Sequence, residues 1–92
     1  MSRVQRIEVI YSGNVQGVGF RFTVRSIAAG AGVTGYVKNM PDGTVFVVAE
    51  AGNDDLADFL EKVGREMKFY IQDTRIGHLP ATGEFGSFDI RF

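Results

Sequence analysis

Gly13-Asn14-Val15-Gln16-Gly17-Val18-Gly19-Phe20-Arg21-Phe22 places three glycines within seven residues, with no proline and no acid among them. On its N-terminal side, Ile7 to Ser12 is rich in β-branched and aromatic residues and reads as a strand. On its C-terminal side, from Phe22, Val24, Ile27, Ala28 and Ala31 fall at i, i+3, i+4 and i+7, one face of a helix. Gly32 ends that helix as its C′ residue. The stretch is therefore a strand-to-helix junction carrying an arginine. A cation is unfavourable at a helix start, where the dipole is already positive. Arg25, four residues on, repels Arg21. A bound anion removes both difficulties. Glycines let successive N–H groups converge on one anion, the helix start adds free donors, and arginine supplies a fork suited to phosphate. The plainer reading stays open beside this one: a tight turn with a solvated Arg21. No Lys-Ser or Lys-Thr follows the glycines, and their spacing differs from the dinucleotide fingerprint.

Working outward, Val33 to Asn39 reads as a second strand. Met40-Pro41-Asp42-Gly43 has proline at i+1 and glycine at i+3 of a type I turn, and Thr44 to Ala51 is a third strand. Asn53-Asp54-Asp55 supplies a cap and first-turn acids for a second helix with the stripe Leu56, Phe59, Leu60, Val63 and Met67. Phe69 to Ile76 reads as a fourth strand and Gly77 to Gly83 as a loop. Phe88, Ile90 and Phe92 alternate with polar residues as a half-buried last strand. The order is β-α-β-β-α-β plus a short terminal strand. That predicts an α+β, ferredoxin-like sandwich, an antiparallel sheet with two helices on one face. A helix joins the first two strands, so they run parallel. Their carboxyl ends then share one edge, which brings Asn39 beside the glycine loop.

The 92 residues suit one small domain spanning 1–92. Hydrophobic residues make up 45% of the chain, enough for one core. Ten basic and eleven acidic residues give a net charge of −1, which argues against a broad nucleic-acid surface. There is no cysteine, and His78 is the one histidine, so thiol chemistry and a histidine-rich metal centre are excluded. The basic start, Met1-Ser2-Arg3-Val4-Gln5-Arg6, leads to no long apolar run. No signal peptide or transmembrane span is expected, and the cytoplasm is the expected compartment.

"GNVQGVGFR" (Gly13 to Arg21), "GVTGYVKN" (Gly32 to Asn39) and "DGTVFVVAEAG" (Asp42 to Gly52) resemble the acylphosphatase family. The pattern resembled is G-x-V-Q-G-V-x-F-R, then G-x-V-x-N, then D-G-x-V, over about the first half of the chain. The module also resembles the N-terminal domain of larger hydrogenase-maturation proteins. Asn14 stands where many members carry a basic residue. Met67-Lys68-Phe69-Tyr70 replaces the Gly-Pro often found after the second helix. The resemblance implies hydrolysis of acyl phosphates to carboxylate and inorganic phosphate, without a metal or other cofactor. It implies that Arg21 binds the phosphoryl oxygens, with the backbone N–H groups of Val15, Gln16, Gly17, Val18, Gly19 and Phe20 around the same group. Asn39 would orient the attacking water. The partners implied are a small acyl phosphate and inorganic phosphate, with no nucleic acid or membrane, and the chain is expected as a monomer.

Other residues read more plainly. His78 is expected at the surface, Asp42 in the turn, and Asp54, Asp55 and Asp58 at a helix start. Phe20 and Phe22 read as core or loop anchors. Two alternatives to the enzyme stand. One is a catalytically silent anion-binding module of the same fold. The other is an RNA-recognition domain, whose aromatic motif belongs on the third strand, whereas "GVGFRF" follows the first.

Overall fold

The computed structural model describes residues 3–92; Met1 and Ser2, which open the basic N-terminal segment, lie outside them. The elements are β1 (Val4–Gly13), α1 (Phe20–Ala31), β2 (Thr34–Asn39), β3 (Val45–Gly52), α2 (Asn53–Glu66), β4 (Ile71–Pro80) and β5 (Phe88–Arg91). They form a sheet of order β4-β1-β3-β2-β5. β3 lies between β1 and β2 and is antiparallel to both, so β1 and β2 run parallel to each other, as their helical crossover requires. β4 adds antiparallel to β1, and β5 adds parallel to β2. The terminal strand thus turns the expected antiparallel sheet into a mixed one.

Alternation along the strands decides which face is covered. Ile7, Val9 and Tyr11 of β1, Val37 of β2, and Val45, Val47 and Ala49 of β3 are buried in one core. Val24 and Ala28 of α1 and Leu56, Phe59 and Val63 of α2 close over them. Each such Val, Leu, Ile or Phe side chain contributes about 1.5–3 kcal/mol relative to exposure. The helix stripes read from the sequence are the buried stripes, Met67 included.

Several boundaries differ from the sequence reading. β1 begins at Val4, not Ile7. α1 begins at Phe20, not Phe22, which puts Arg21 inside its first turn. α2 is not capped by Asn53: Gly52 holds the N-cap position, no side chain caps the helix, and Asn53 is already helical. Gly77 to Gly83 is not all loop, because β4 starts at Ile71 and continues to Pro80. β4 is an edge strand with nine of its ten residues exposed, so it has no buried face to impose alternation. Pro80 is tolerated there because an edge strand can spare a donor. Finally, Phe92 lies beyond β5 and is 90% exposed, whereas Phe88 is buried and Ile90 half-buried.

β4 and β5 sit at opposite edges of the sheet, so residues 81–87 must cross it. They do so over Glu50 of β3, whose carboxylate accepts hydrogen bonds from Thr82 N–H (2.9 Å), Thr82 Oγ1 (3.1 Å) and Gly83 N–H (3.0 Å). Arg6 joins the cluster, 2.9 Å from Glu84, 3.3 Å from Glu8 and 3.5 Å from Glu50. Phe85 packs edge-on to Tyr36. Among the described residues, no helix is long and apolar enough to cross a membrane.

Candidate active site

The loop from β1 to α1 is shaped by its glycines for two different reasons. At Gly13, an added Cβ would stand 2.4 Å from the Tyr70 carbonyl oxygen, so the site admits only glycine where β1 meets β4. Gly17 (φ 78°) and Gly19 (φ 76°) are left-handed with open space around them, and Val18 between them is not. Such alternation lets successive N–H groups turn toward one side, as in an anion nest. Two side chains fix the loop. Val15 is fully buried. The Gln16 amide donates to the carbonyls of Met40 (2.8 Å) and Thr44 (2.9 Å), tying the loop to the β2–β3 turn. That turn is closed by Gly43 N–H to the Met40 carbonyl, and Asp42 Oδ1 accepts from Thr44. These hydrogen bonds hold the Asp42 carboxyl below the usual carboxylate range.

α1 starts without a cap. Gly19 has no side chain to offer, and the first turn holds no acid. The first intrahelical bond runs from Thr23 N–H to the Gly19 carbonyl, so the N–H groups of Phe20, Arg21 and Phe22 have no helical acceptor. Phe20 is buried against Tyr11, with ring centroids 5.2 Å apart. Burial pushes the Tyr11 hydroxyl pKa upward. Arg21 projects from the same turn, its guanidinium 4.8 Å from the Phe92 ring centroid. Among the described residues, neither Arg21 nor Arg25 belongs to an ion pair, so two uncompensated cations flank the helix start.

Asn39 ends β2 and pairs with Val45. Alternation places it in one row with Gly35 and Val37, on the helix-covered face. Its Oδ1 is buried and has no hydrogen-bond partner, a cost of about 1–3 kcal/mol for a polar group so left. Asn39, Val15, Gly17, Gly19, Phe20, Arg21 and Phe22 line one cavity of about 220 Å3. The structure therefore brings Arg21 and Asn39 together with four of the other loop residues expected there. Gln16 and Val18 do not line it: the Gln16 side chain reaches the hairpin, and Val18 is exposed. Phe20 is a core anchor as expected, but Phe22 is 58% exposed at the cavity wall. His78 is exposed on β4, far along the chain from the cavity. The sequence reading missed Phe92 under Arg21.

A family model described as Acylphosphatase matches residues 7–90. The chain belongs to the acylphosphatase family. An acylphosphatase of Methanospirillum hungatei is 44% identical over 69 residues, 75% of this chain and 76% of that protein. One of Lactobacillus johnsonii is 37% identical over 81 residues, covering 86% and 89% of the two chains. The crystal structure of an acylphosphatase from Bacillus subtilis superimposes with a TM-score of 0.89 at 31% identity, over 96% of this chain and 99% of that one. Acylphosphatases are hydrolases, and the cavity described above supplies groups suited to hydrolysis at phosphorus. It combines a guanidinium, free backbone donors and one unpartnered amide oxygen.

Proposed function

We propose that this acylphosphatase-family chain hydrolyses the carboxyl–phosphate bond of acyl phosphates in the cavity between residues 15–22 and Asn39. The observation that carries the reading is that Arg21, the uncapped start of α1 and the unpartnered Asn39 Oδ1 converge on one small space. Arg21 and the backbone N–H groups of the loop bind the phosphoryl oxygens. Asn39 Oδ1 accepts a hydrogen bond from water and aims its oxygen at phosphorus. The P–O bond to the acyl group breaks, its electron pair leaves on the carboxylate, and the protons of water stay with phosphate. One acyl phosphate and one water give one carboxylate and one inorganic phosphate. The leaving carboxylate is weakly basic and needs no general acid. Positioning and charge stabilisation are then sufficient, as in other loose phosphoryl-transfer transition states.

The reading takes residues 1–92 as one domain, acting as a cytoplasmic monomer without cofactor, metal, nucleic acid or membrane. Its radius of gyration, 12.1 Å, matches the roughly 12 Å of a compact domain of this length. Release of phosphate from benzoyl phosphate tests the activity, and full rates after exhaustive chelation are expected. No turnover would refute the hydrolase and favour the silent anion-binding module. Loss with EDTA and recovery with a divalent ion would refute the metal-free mechanism.

A further inference from the structure

A second and larger cavity adjoins the phosphate site. Gly13 pairs with Ile71, so the start of α1 and the end of α2 lie at one end of the sheet. Between them runs a groove of about 550 Å3, walled by Phe22, Thr23, Ser26 and Ile27 of α1 and by Lys62 and Arg65 of α2. Phe22 lines this groove and the phosphate cavity alike. Its ring is more than half exposed, and the Arg25 guanidinium lies 5.4 Å from its centroid.

Size separates the two spaces. Sites that enclose a whole small molecule run to ~300–1,000 Å3. The phosphate cavity, about 220 Å3, falls below that range, and the groove lies within it. A phosphoryl group fits the first, which leaves the acyl group to extend past Phe22. We propose that the α1–α2 groove is the acyl subsite and takes an aromatic or branched acyl chain lying on Phe22 and Ile27, the apolar side chains of its wall. This rests on the hydrolytic reading above. The charges at the rim are mixed: Lys62 is paired with Asp58 and Arg65 with Glu61, each at 3.0 Å, Glu66 is acidic, and the Arg25 guanidinium over Phe22 is unpaired among the described residues. The apolar surface of Phe22 and Ile27 therefore carries the preference.

The test compares kcat/KM for benzoyl phosphate and acetyl phosphate in wild type and Ser26→Trp. Ser26 is exposed on α1 and outside the phosphate cavity, so an indole there fills the groove and leaves Arg21 and Asn39 in place. The benzoyl-to-acetyl ratio should fall ~10-fold or more while the acetyl value stays within about twofold, the scale at which apolar pockets discriminate. An unchanged ratio, or equal loss on both substrates, overturns the subsite. Backbone amide shifts give a readout independent of turnover. Phenacylphosphonate, with a methylene in place of the bridging oxygen, should move the Ser26 and Arg65 amides that inorganic phosphate leaves still; identical patterns overturn the proposal. Failure of the wild type on both substrates removes the hydrolytic reading and the subsite with it. An active wild type with an unchanged ratio removes the subsite alone.

Discussion

Arg21 and Asn39 line one cavity, and their chemistry differs. The guanidinium is a permanent charge, which in the proposed reaction attracts phosphate in ground and transition states alike. Arg21→Ala should therefore weaken phosphate binding and nearly abolish turnover. Arg21→Lys should rescue poorly, because a point charge cannot replace a two-pronged fork. In the proposed reaction Asn39 offers its amide to the water. Asn39→Ala should lower kcat by roughly 10²-fold, as removal of a preorganised hydrogen-bonding group does, with phosphate affinity close to wild type. It should stay folded, since Oδ1 has no protein partner to lose. Circular dichroism, kcat and phosphate inhibition for each variant separate the two effects. A folded Asn39→Ala that loses phosphate as severely as Arg21→Ala would contradict the division. At this scale the meeting of Arg21 and Asn39 is legible in the sequence. Arg21 is an ill-placed cation at a helix start, and Asn39 follows from the parallel strands. Gln16 and Phe92 are not legible. A side-chain amide reaching two carbonyls across a hairpin leaves no periodic trace. Phe92 continues the alternation of β5 but lies beyond its last ladder pair, Lys38 with Arg91.

The loop between β1 and α1 works as a unit because its backbone is held in a shape that only glycine adopts readily. Gly17→Ala should cost about 1–3 kcal/mol, the strain of a left-handed non-glycine residue, with no steric clash because nothing stands within 4 Å. Gly83 supplies the control: its φ is 73°, its surroundings are equally open, and it lies in the crossover at residues 81–87. Urea midpoints should fall similarly in the two alanine variants, but phosphate affinity should fall only in Gly17→Ala. Equal affinity in wild type and Gly17→Ala would remove the loop backbone from the anion site. The elements themselves were readable in proportion to their buried faces. α1 and α2 each bury one stripe, so a 3.6-residue period shows through. The core-lining β3 is legible for the same reason. β4 buries almost nothing, so its hydrophobic pattern marks neither its face nor its end, and Gly77 to Pro80 read as loop although they continue the strand. The cap of α2 failed for a local reason: Gly52 already ends β3 in extended backbone (φ −66°, ψ 158°), and the chain turns helical one residue before Asn53 could cap it.

Across the whole molecule, the proposed phosphate site lies at one end of the sheet and the crossover over Glu50 near the other. The second feature governs response to acid. Burial by itself would raise the Glu50 pKa, but the Thr82 and Gly83 N–H groups, the Thr82 hydroxyl and the Arg6 charge together hold it below the usual range. Hydrogen bonds from Arg6 and Thr82 lower Glu84 as well. A carboxyl whose folded pKa is depressed contributes stability that is present above its unfolded value, about 4.3 for glutamate, and is lost as pH falls through the folded value. The urea midpoint should thus vary little between about pH 7 and 5 and fall below about pH 4.5, as these carboxylates protonate. Glu50→Gln removes the charge and keeps the side chain's size. It leaves Arg6 facing one fewer carboxylate and puts an NH2 among donors, so at pH 7 it should cost up to about 3–5 kcal/mol, the scale for breaking a buried ion pair. The difference between wild type and Glu50→Gln should then shrink as pH is lowered, because acid makes the wild-type side chain neutral too. Phosphate affinity at pH 7 should persist in the folded variant, since Glu50 pairs with Thr34 at the start of β2 and Asn39 ends it. Equilibrium unfolding of both proteins at a series of pH values decides this; a difference that stays constant or widens in acid would show that the Glu50 charge does not hold the crossover.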